Sequence, residues 1–137
     1  MNNKISLTFS IMDGPFEQGR ISTVFRLMAV AAERGYDLNV FAYEGAVNLP
    51  LAKQSKHPNA VHGHDVEQED HPLTREWIAA LQKTAETKGG SLAWINCGLC
   101  VDERGATETI EGCRRGTPGD LWQWANSSTN TLIVGTR

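Results

Sequence analysis

The sequence lacks several features that would place it in a specialised class of protein. It has no apolar run approaching the ~20 residues that span a bilayer, and residues 1–7 lack the long apolar segment of a secretory signal. Acidic residues outnumber basic ones by 16 to 13, which argues against general nucleic-acid binding. Its three cysteines, an odd number, fit a reducing compartment better than a disulfide scaffold. We therefore expect a cytoplasmic protein that binds neither membranes nor nucleic acids.

Motifs for organic cofactors are also missing. The scattered glycines form neither a dinucleotide-binding fingerprint nor a Walker loop. A flavodoxin-type flavin site needs a loop rich in Ser and Thr after the first strand, whereas this chain has Met12-Asp-Gly-Pro15 there. The side chains of Asp13 and Glu17 would also repel a phosphate group. We expect no organic cofactor and no bound metal.

Periodic hydrophobicity predicts strands that alternate with helices in a single domain over residues 1–137. The strands are predicted over 5–11, 38–43, 92–95 and 131–135, and the helices over 20–34, 73–88, from Cys97 and from Pro118. This order indicates an α/β fold in which a mainly parallel sheet is covered on both faces. Sites in such sheets lie beyond the carboxyl ends of the strands, which points to residues 12–19 and to the turn that begins at Cys97.

Residues 44–72 have no sustained period and are predicted to form a long insertion, with one short helix around 50–54. The insertion contains all the histidines beside a group of acids: His57, His62, His64, His71, Asp65, Glu67, Glu69 and Asp70. Imidazole and carboxylate groups together can bind zinc, but their spacing here matches neither a helical pair nor a zinc finger. We favour a solvated loop, and an alternative is a lid or an inter-subunit contact.

The turn after the third predicted strand carries the residues best suited to chemistry. Cys97 follows this strand directly and opens a helix, where free backbone N–H groups favour a thiolate that is reachable from outside. Cys100 lies one turn further along the same helix face and could resolve a persulfide on Cys97 or form a disulfide with it. Arg104, Arg114 and Arg115 could add positive charge. Cys113 is either a core residue or a reactive one.

This stretch resembles the DsrE/TusD-like (DsrE/DsrF-like) sulfur-relay family in having an apolar strand, then Cys97, then Arg104-Gly105. Residues 112–121 and the closing apolar strand also look like this family. The resemblance implies a three-layer α/β/α sandwich with about five strands, assembled as a homotrimer or hexamer. It implies that Cys97 carries sulfur as a persulfide, with Cys100 as a less secure second catalytic residue and Arg104, Gly105, Arg114 and Arg115 as binding residues. The implied partners are sulfur donor and acceptor proteins or small sulfane-sulfur compounds.

Two other functions fit the residues. A C-x-x-C pair such as Cys97 and Cys100 also occurs in dithiol redox proteins, although we find no good candidate for the cis-proline that such proteins place opposite the dithiol. A non-catalytic binding subunit that uses the α/β platform and the insertion is the third possibility. Trp122 and Trp124 cannot share one helix face, so we expect one of them to be exposed in the monomer and to lie in a subunit contact.

Overall fold

The computed structural model describes residues 4–56, 58, 63–68 and 72–135. The predicted alternation of strands and helices is present along these residues. In chain order, the elements are β1 (Ser6–Ile11), α1 (Gly19–Glu33), β2 (Asp37–Ala42), a 3₁₀ helix (Glu44–Asn48), α2 (Thr74–Thr87), β3 (Ser91–Cys97), α3 (Gly98–Arg104), β4 (Cys113–Gly116), α4 (Pro118–Ser127) and β5 (Asn130–Val134). Within the described residues, no helix combines the length and the apolarity needed to cross a membrane.

The five strands form one parallel sheet in the order β4-β3-β2-β1-β5. The prediction of a mainly parallel sheet of about five strands is therefore confirmed. Because all the strands run the same way, their carboxyl ends meet at one edge of the sheet. The loop over residues 12–18 and the β3–α3 junction both lie at this edge, as the sequence predicted.

Helices cover both faces of the sheet and make it a three-layer α/β/α sandwich. On one face, α1 and α2 pack a large apolar cluster that includes Phe25, Met28 and Trp94. On the other face, α3, α4 and the 3₁₀ helix enclose a smaller cluster, whose buried residues are Phe41, Val47, Ile95, Cys97 and Cys100. Both cysteines of the C-x-x-C pair therefore belong to the smaller cluster.

Two helix boundaries arise from local sequence signals. Gly35 follows α1 with a φ of 75°, a left-handed conformation that a residue without a Cβ adopts at little cost. At the start of α4, the carboxylate of Asp120 accepts a hydrogen bond of 2.8 Å from the N–H of Thr117, and Pro118 occupies the first helical turn. The predictions for these two helix ends are confirmed.

Two parts of the prediction were wrong. The short helix in the insertion is a 3₁₀ helix at Glu44–Asn48 rather than a helix around 50–54. Residues 50–52 pair instead with residues 108–110 through backbone hydrogen bonds of 2.8 and 2.9 Å, which use the groups that a helix would need. Strand β4 was not predicted, because its sequence of Cys113-Arg-Arg-Gly116 has no apolar alternation.

Candidate functional site

Cys97 lies at the junction between β3 and α3. It is the last residue of the strand and the N-cap of the helix, with an extended backbone (φ −60°, ψ 120°). The side chain packs in the smaller cluster beside Phe41 and Ile95, and the residue is only 6% exposed. The predicted strand-to-helix position is confirmed. The residue is more buried than we expected, because the packing of the 3₁₀ helix and α3 against it was not anticipated, and the reachability of the sulfur itself stays a prediction.

Cys100 lies next to Cys97 in the smaller cluster. The two thiols are hydrogen-bond neighbours, and Cys100 is 7% exposed. Burial raises the pKa of the Cys100 thiol, the hydrogen bond and the charge interaction with Cys97 raise it further, and a hydrogen bond from the Glu44 backbone N–H opposes this rise. Cys100 therefore keeps its proton and can donate it in a hydrogen bond to the sulfur of Cys97.

Arg115 brings a positive charge to the start of α3. A Cβ atom on Gly98 would lie 2.6 Å from the Nε of Arg115, so the guanidinium passes directly over the residue that follows Cys97. Asp102 holds it there through two hydrogen bonds, of 2.8 Å from Nη1 and 2.7 Å from Nη2. This pairing lowers the pKa of the Asp102 carboxyl and raises the pKa of the Arg115 guanidinium. A charge interaction with the nearby sulfur of Cys97 raises the pKa of Arg115 further. Glycine at position 98 is needed for this close approach.

Arg104, the last residue of α3, contacts the 3₁₀ helix. Its Nη2 is 2.7 Å from a carboxylate oxygen of Glu44, the residue whose backbone N–H donates to Cys100. Both side chains border an open pocket of about 610 Å³, which we call the edge pocket. The edge pocket is lined by Met12, Glu17, Glu44, Gly45, Asn48 and Arg104.

The other residues predicted for the site lie apart from the two thiols or have structural roles. Gly105 ends α3 in a left-handed conformation with a φ of 58°. The guanidinium of Arg114 lies 4.0 Å from Asp120 at the start of α4. Cys113 packs against the large cluster on the opposite face, where burial raises the pKa of its thiol to about 12. This packing favours the interpretation of Cys113 as a core residue.

The insertion reaches the site through its first residues, Glu44–Asn48, and none of the site contacts described above involves the described residues of its histidine-rich part, 57–71. His57, His62 and His71 lie outside the described residues, and His64 is exposed. Within the described part of the chain, no group of three or more His, Cys, Asp or Glu side chains has the arrangement of a metal site. Residues 65–68 of the insertion form a local turn, in which Asp65 and Gln68 exchange hydrogen bonds of 2.9 Å between side chain and backbone.

Sequence reasoning missed Glu44 and Asp102. Glu44 directly follows the end of β2, so the rule that sites lie beyond the carboxyl ends of parallel strands could have identified it. Asp102 gains its importance from Arg115, which β4 brings beside α3. Without a prediction of β4, the sequence contained no signal for this pair.

Comparisons with known proteins agree with this architecture. A sequence model of the DsrE/DsrF-like family matches residues 6–133. An uncharacterized protein of Methanopyrus kandleri is 28% identical over 130 residues, which cover 93% of this chain and 92% of the relative. The crystal structure of the ychN protein from E. coli superposes with a TM-score of 0.73 at 19% identity, covering 95% of this chain and 99% of that one, and thus has the same fold. The extent of the family match shows that this chain belongs to the DsrE/DsrF-like family.

Proposed function

We propose that this protein is a cytoplasmic sulfur-transfer protein that accepts and passes sulfane sulfur as a persulfide on Cys97. The observation that carries the proposal is that two groups, a guanidinium and a second thiol, lie near the sulfur of this residue. The guanidinium of Arg115 lies over the adjacent Gly98, and the thiol of Cys100 is within hydrogen-bonding distance. Positive charge and a hydrogen-bond donor both stabilise a thiolate or a persulfide anion.

The transfer needs no external oxidant or reductant. The thiolate of Cys97 attacks the outer sulfur of a donor persulfide, a new S–S bond forms on Cys97, and the S–S bond of the donor breaks. The donor leaves as a thiolate that takes the electron pair of the broken bond and then a proton from solvent. An acceptor thiolate removes the sulfur from Cys97 by the same reaction in reverse.

The raised pKa of Cys100 suits it to a supporting role. Because it stays protonated near neutral pH, it is a poor competing nucleophile and a steady donor to the neighbouring sulfur. If Cys100 does attack the inner sulfur of a Cys97 persulfide, a Cys97–Cys100 disulfide forms and the outer sulfur leaves as hydrosulfide. Cys97 and Cys100 are neighbours in the smaller cluster, and this second reaction would make the protein a dithiol redox protein instead.

Intact-mass spectrometry tests the proposal. After treatment with an inorganic polysulfide, we expect about 32 Da added to the wild-type protein for each transferred sulfur and the same addition to Cys113→Ser. We expect Cys97→Ser to gain nothing. Cys100→Ser should still accept sulfur, because Cys100 is a supporting group. Equal sulfur addition to Cys97→Ser would contradict the assignment, and loss of 2 Da with a Cys97–Cys100 bridge in the wild type would favour the redox function.

We further propose that the protein works as a homotrimer or hexamer with Trp122 in a subunit contact. Trp122 on α4 is 73% exposed, whereas Trp124 is partly buried in the smaller cluster. A large exposed aromatic side chain is typical of a protein interface. Light scattering of the dilute protein should give the mass of three or six chains, and Trp122→Lys should lower it, whereas a monomeric wild type would refute the proposal.

A further inference from the structure

The edge pocket has no role in the sulfur transfer described above. It lies at the carboxyl edge of the sheet, between the loop that follows β1 and the 3₁₀ helix that follows β2. Its volume of about 610 Å³ is within the range of small-molecule sites. Parallel α/β proteins bind their ligands at this edge. Its position and size therefore suit a small ligand.

The charges that line the edge pocket restrict the kind of ligand. Glu17 accepts a hydrogen bond of 3.1 Å from the Gly14 N–H and forms an ion pair with no cation among the described residues. Arg104 supplies the positive charge and is paired with Glu44, a half-exposed side chain that a competing carboxylate can replace. An anion without a cationic group would meet two carboxylates. A molecule that carries both an ammonium and a carboxylate group complements the negative charge of Glu17 and the positive charge of Arg104.

The edge pocket also adjoins the cysteine pair. Arg104 lies four residues after Cys100 in α3, so the two side chains are on the same side of the helix and about one turn apart. Glu44 links the two features directly, because its backbone N–H donates to Cys100 while its carboxylate holds Arg104. Its φ of 50° is uncommon for a residue with a side chain, which is typical of positions under functional constraint.

We propose that the edge pocket binds a zwitterionic low-molecular-weight thiol of the amino-acid type, or the persulfide of that thiol. The carboxylate group of the ligand replaces Glu44 on Arg104, and the ammonium group pairs with Glu17. The sulfur end then points along α3 toward Cys100 and Cys97. This inference rests on the proposed function, since it names the class of molecule that delivers or removes the sulfur.

Three unreactive thioethers test the charge requirement without any sulfur chemistry. S-methylcysteine carries both charges, 2-(methylthio)ethylamine lacks the carboxylate, and 3-(methylthio)propionate lacks the ammonium. In titrations of the reduced wild-type protein followed by ¹⁵N NMR, S-methylcysteine should shift the amide signals of Gly45 and Asn48 and saturate. Each single-charge analogue should bind at least about tenfold more weakly, as expected when one charged contact is lost.

Matched variants locate the two charged contacts. Arg104→Gln should weaken S-methylcysteine binding without affecting 2-(methylthio)ethylamine, and Glu17→Gln should weaken S-methylcysteine without affecting 3-(methylthio)propionate. Arg26→Gln and Glu86→Gln, exposed positions on α1 and α2, remove the same charges elsewhere and should leave all binding unchanged.

The outcomes separate this inference from the proposed function. Equal binding of S-methylcysteine and 3-(methylthio)propionate, or no binding of S-methylcysteine at all, would overturn the inference even if Cys97 gains sulfur from polysulfide. Saturable binding that depends on Arg104 and Glu17 would support it even if Cys97 gained no sulfur, in which case the carrier function alone would fail.

Discussion

The two faces of the sheet bury different kinds of side chain. Toward α1 and α2, the strands present Phe9 and Trp94 to a large, continuous apolar cluster. Toward α3 and α4, β1 presents Thr8 and Ser10, and the Oγ of Ser10 has no hydrogen-bond partner in the described part of the chain. The only sizeable apolar packing that the described residues give this second face is the smaller cluster around the thiols.

The face that should contribute most to stability is therefore not the face on which we propose that the chemistry takes place. Burial of apolar surface is the main stabilising term in folding, so the larger cluster should dominate the free energy of unfolding. The second face provides a confined, partly polar site, in which the residues that we propose for sulfur transfer are held by a few specific contacts. Changes at that site should therefore alter reactivity more than stability.

The largest expected effect tests the apolar face. Phe25 is fully buried and its ring centroid lies 4.9 Å from that of Trp77, so Phe25→Ala should lower the free energy of unfolding by about 3–5 kcal/mol. Leu27→Ala is the control on the same helix, because Leu27 is 47% exposed and its loss should change stability by about 0.5 kcal/mol or less. Urea unfolding measures both. Similar losses for the two variants would contradict the assigned core.

A second prediction concerns the cysteine that packs on the apolar face. The pKa of the Cys113 thiol is raised from its ordinary value of 9.0 to about 12, so between these values the unfolded chain releases a proton that the folded chain retains. The free energy of unfolding should therefore fall as pH rises from 9 to 12, by at most about 1.4 kcal/mol per pH unit from this thiol.

Comparison with Cys113→Ala isolates this contribution. All other groups of the chain are the same in both proteins, so their contributions cancel in the comparison. The variant should therefore lose stability less steeply than the wild type between pH 9 and 12. Parallel stability curves for the two proteins would show that Cys113 is not protected by burial.

The apolar face was also the easier one to predict from sequence. Residues Ile21, Val24, Phe25 and Met28 recur with the spacing of one helix face, and all four are buried in α1. Cys97 was placed correctly because a strand and a helix signal meet at it. Such signals are local, so a short stretch of the sequence is enough to predict the element.

The contacts of the second face are long-range and left no such local signal. The Asp102–Arg115 pair depends on the pairing of β4 with β3, and β4 has two exposed arginines in place of apolar alternation. The Glu44–Arg104 pair joins residues 60 positions apart in the chain. The burial of Cys97 depends on how the 3₁₀ helix folds back over the site, which hydrophobic periodicity does not encode.

The smallest expected effect tests how the second face tunes its thiol. If the position of the Arg115 guanidinium favours the Cys97 thiolate, Arg115→Gln should slow alkylation of Cys97 by iodoacetamide several-fold at neutral pH. Gly98→Ala should slow it similarly without any change of charge, because the added Cβ would lie 2.6 Å from the present position of Nε and displace the guanidinium. Peptide mapping by mass spectrometry measures the rate at Cys97 alone.

Asp102→Asn distinguishes the effect of the position of the Arg115 guanidinium from the effect of the net charge near Cys97. This substitution removes a negative charge near Cys97, so a simple charge effect would speed alkylation, whereas release of the guanidinium from Gly98 would slow it. We expect a slower reaction, and in an Arg115→Gln background we expect Asp102→Asn to slow it no further. Glu103→Gln, which removes the neighbouring charge without touching Arg115, should leave the rate nearly unchanged. Faster alkylation in Asp102→Asn would mean that Asp102 acts only through its charge and does not position Arg115.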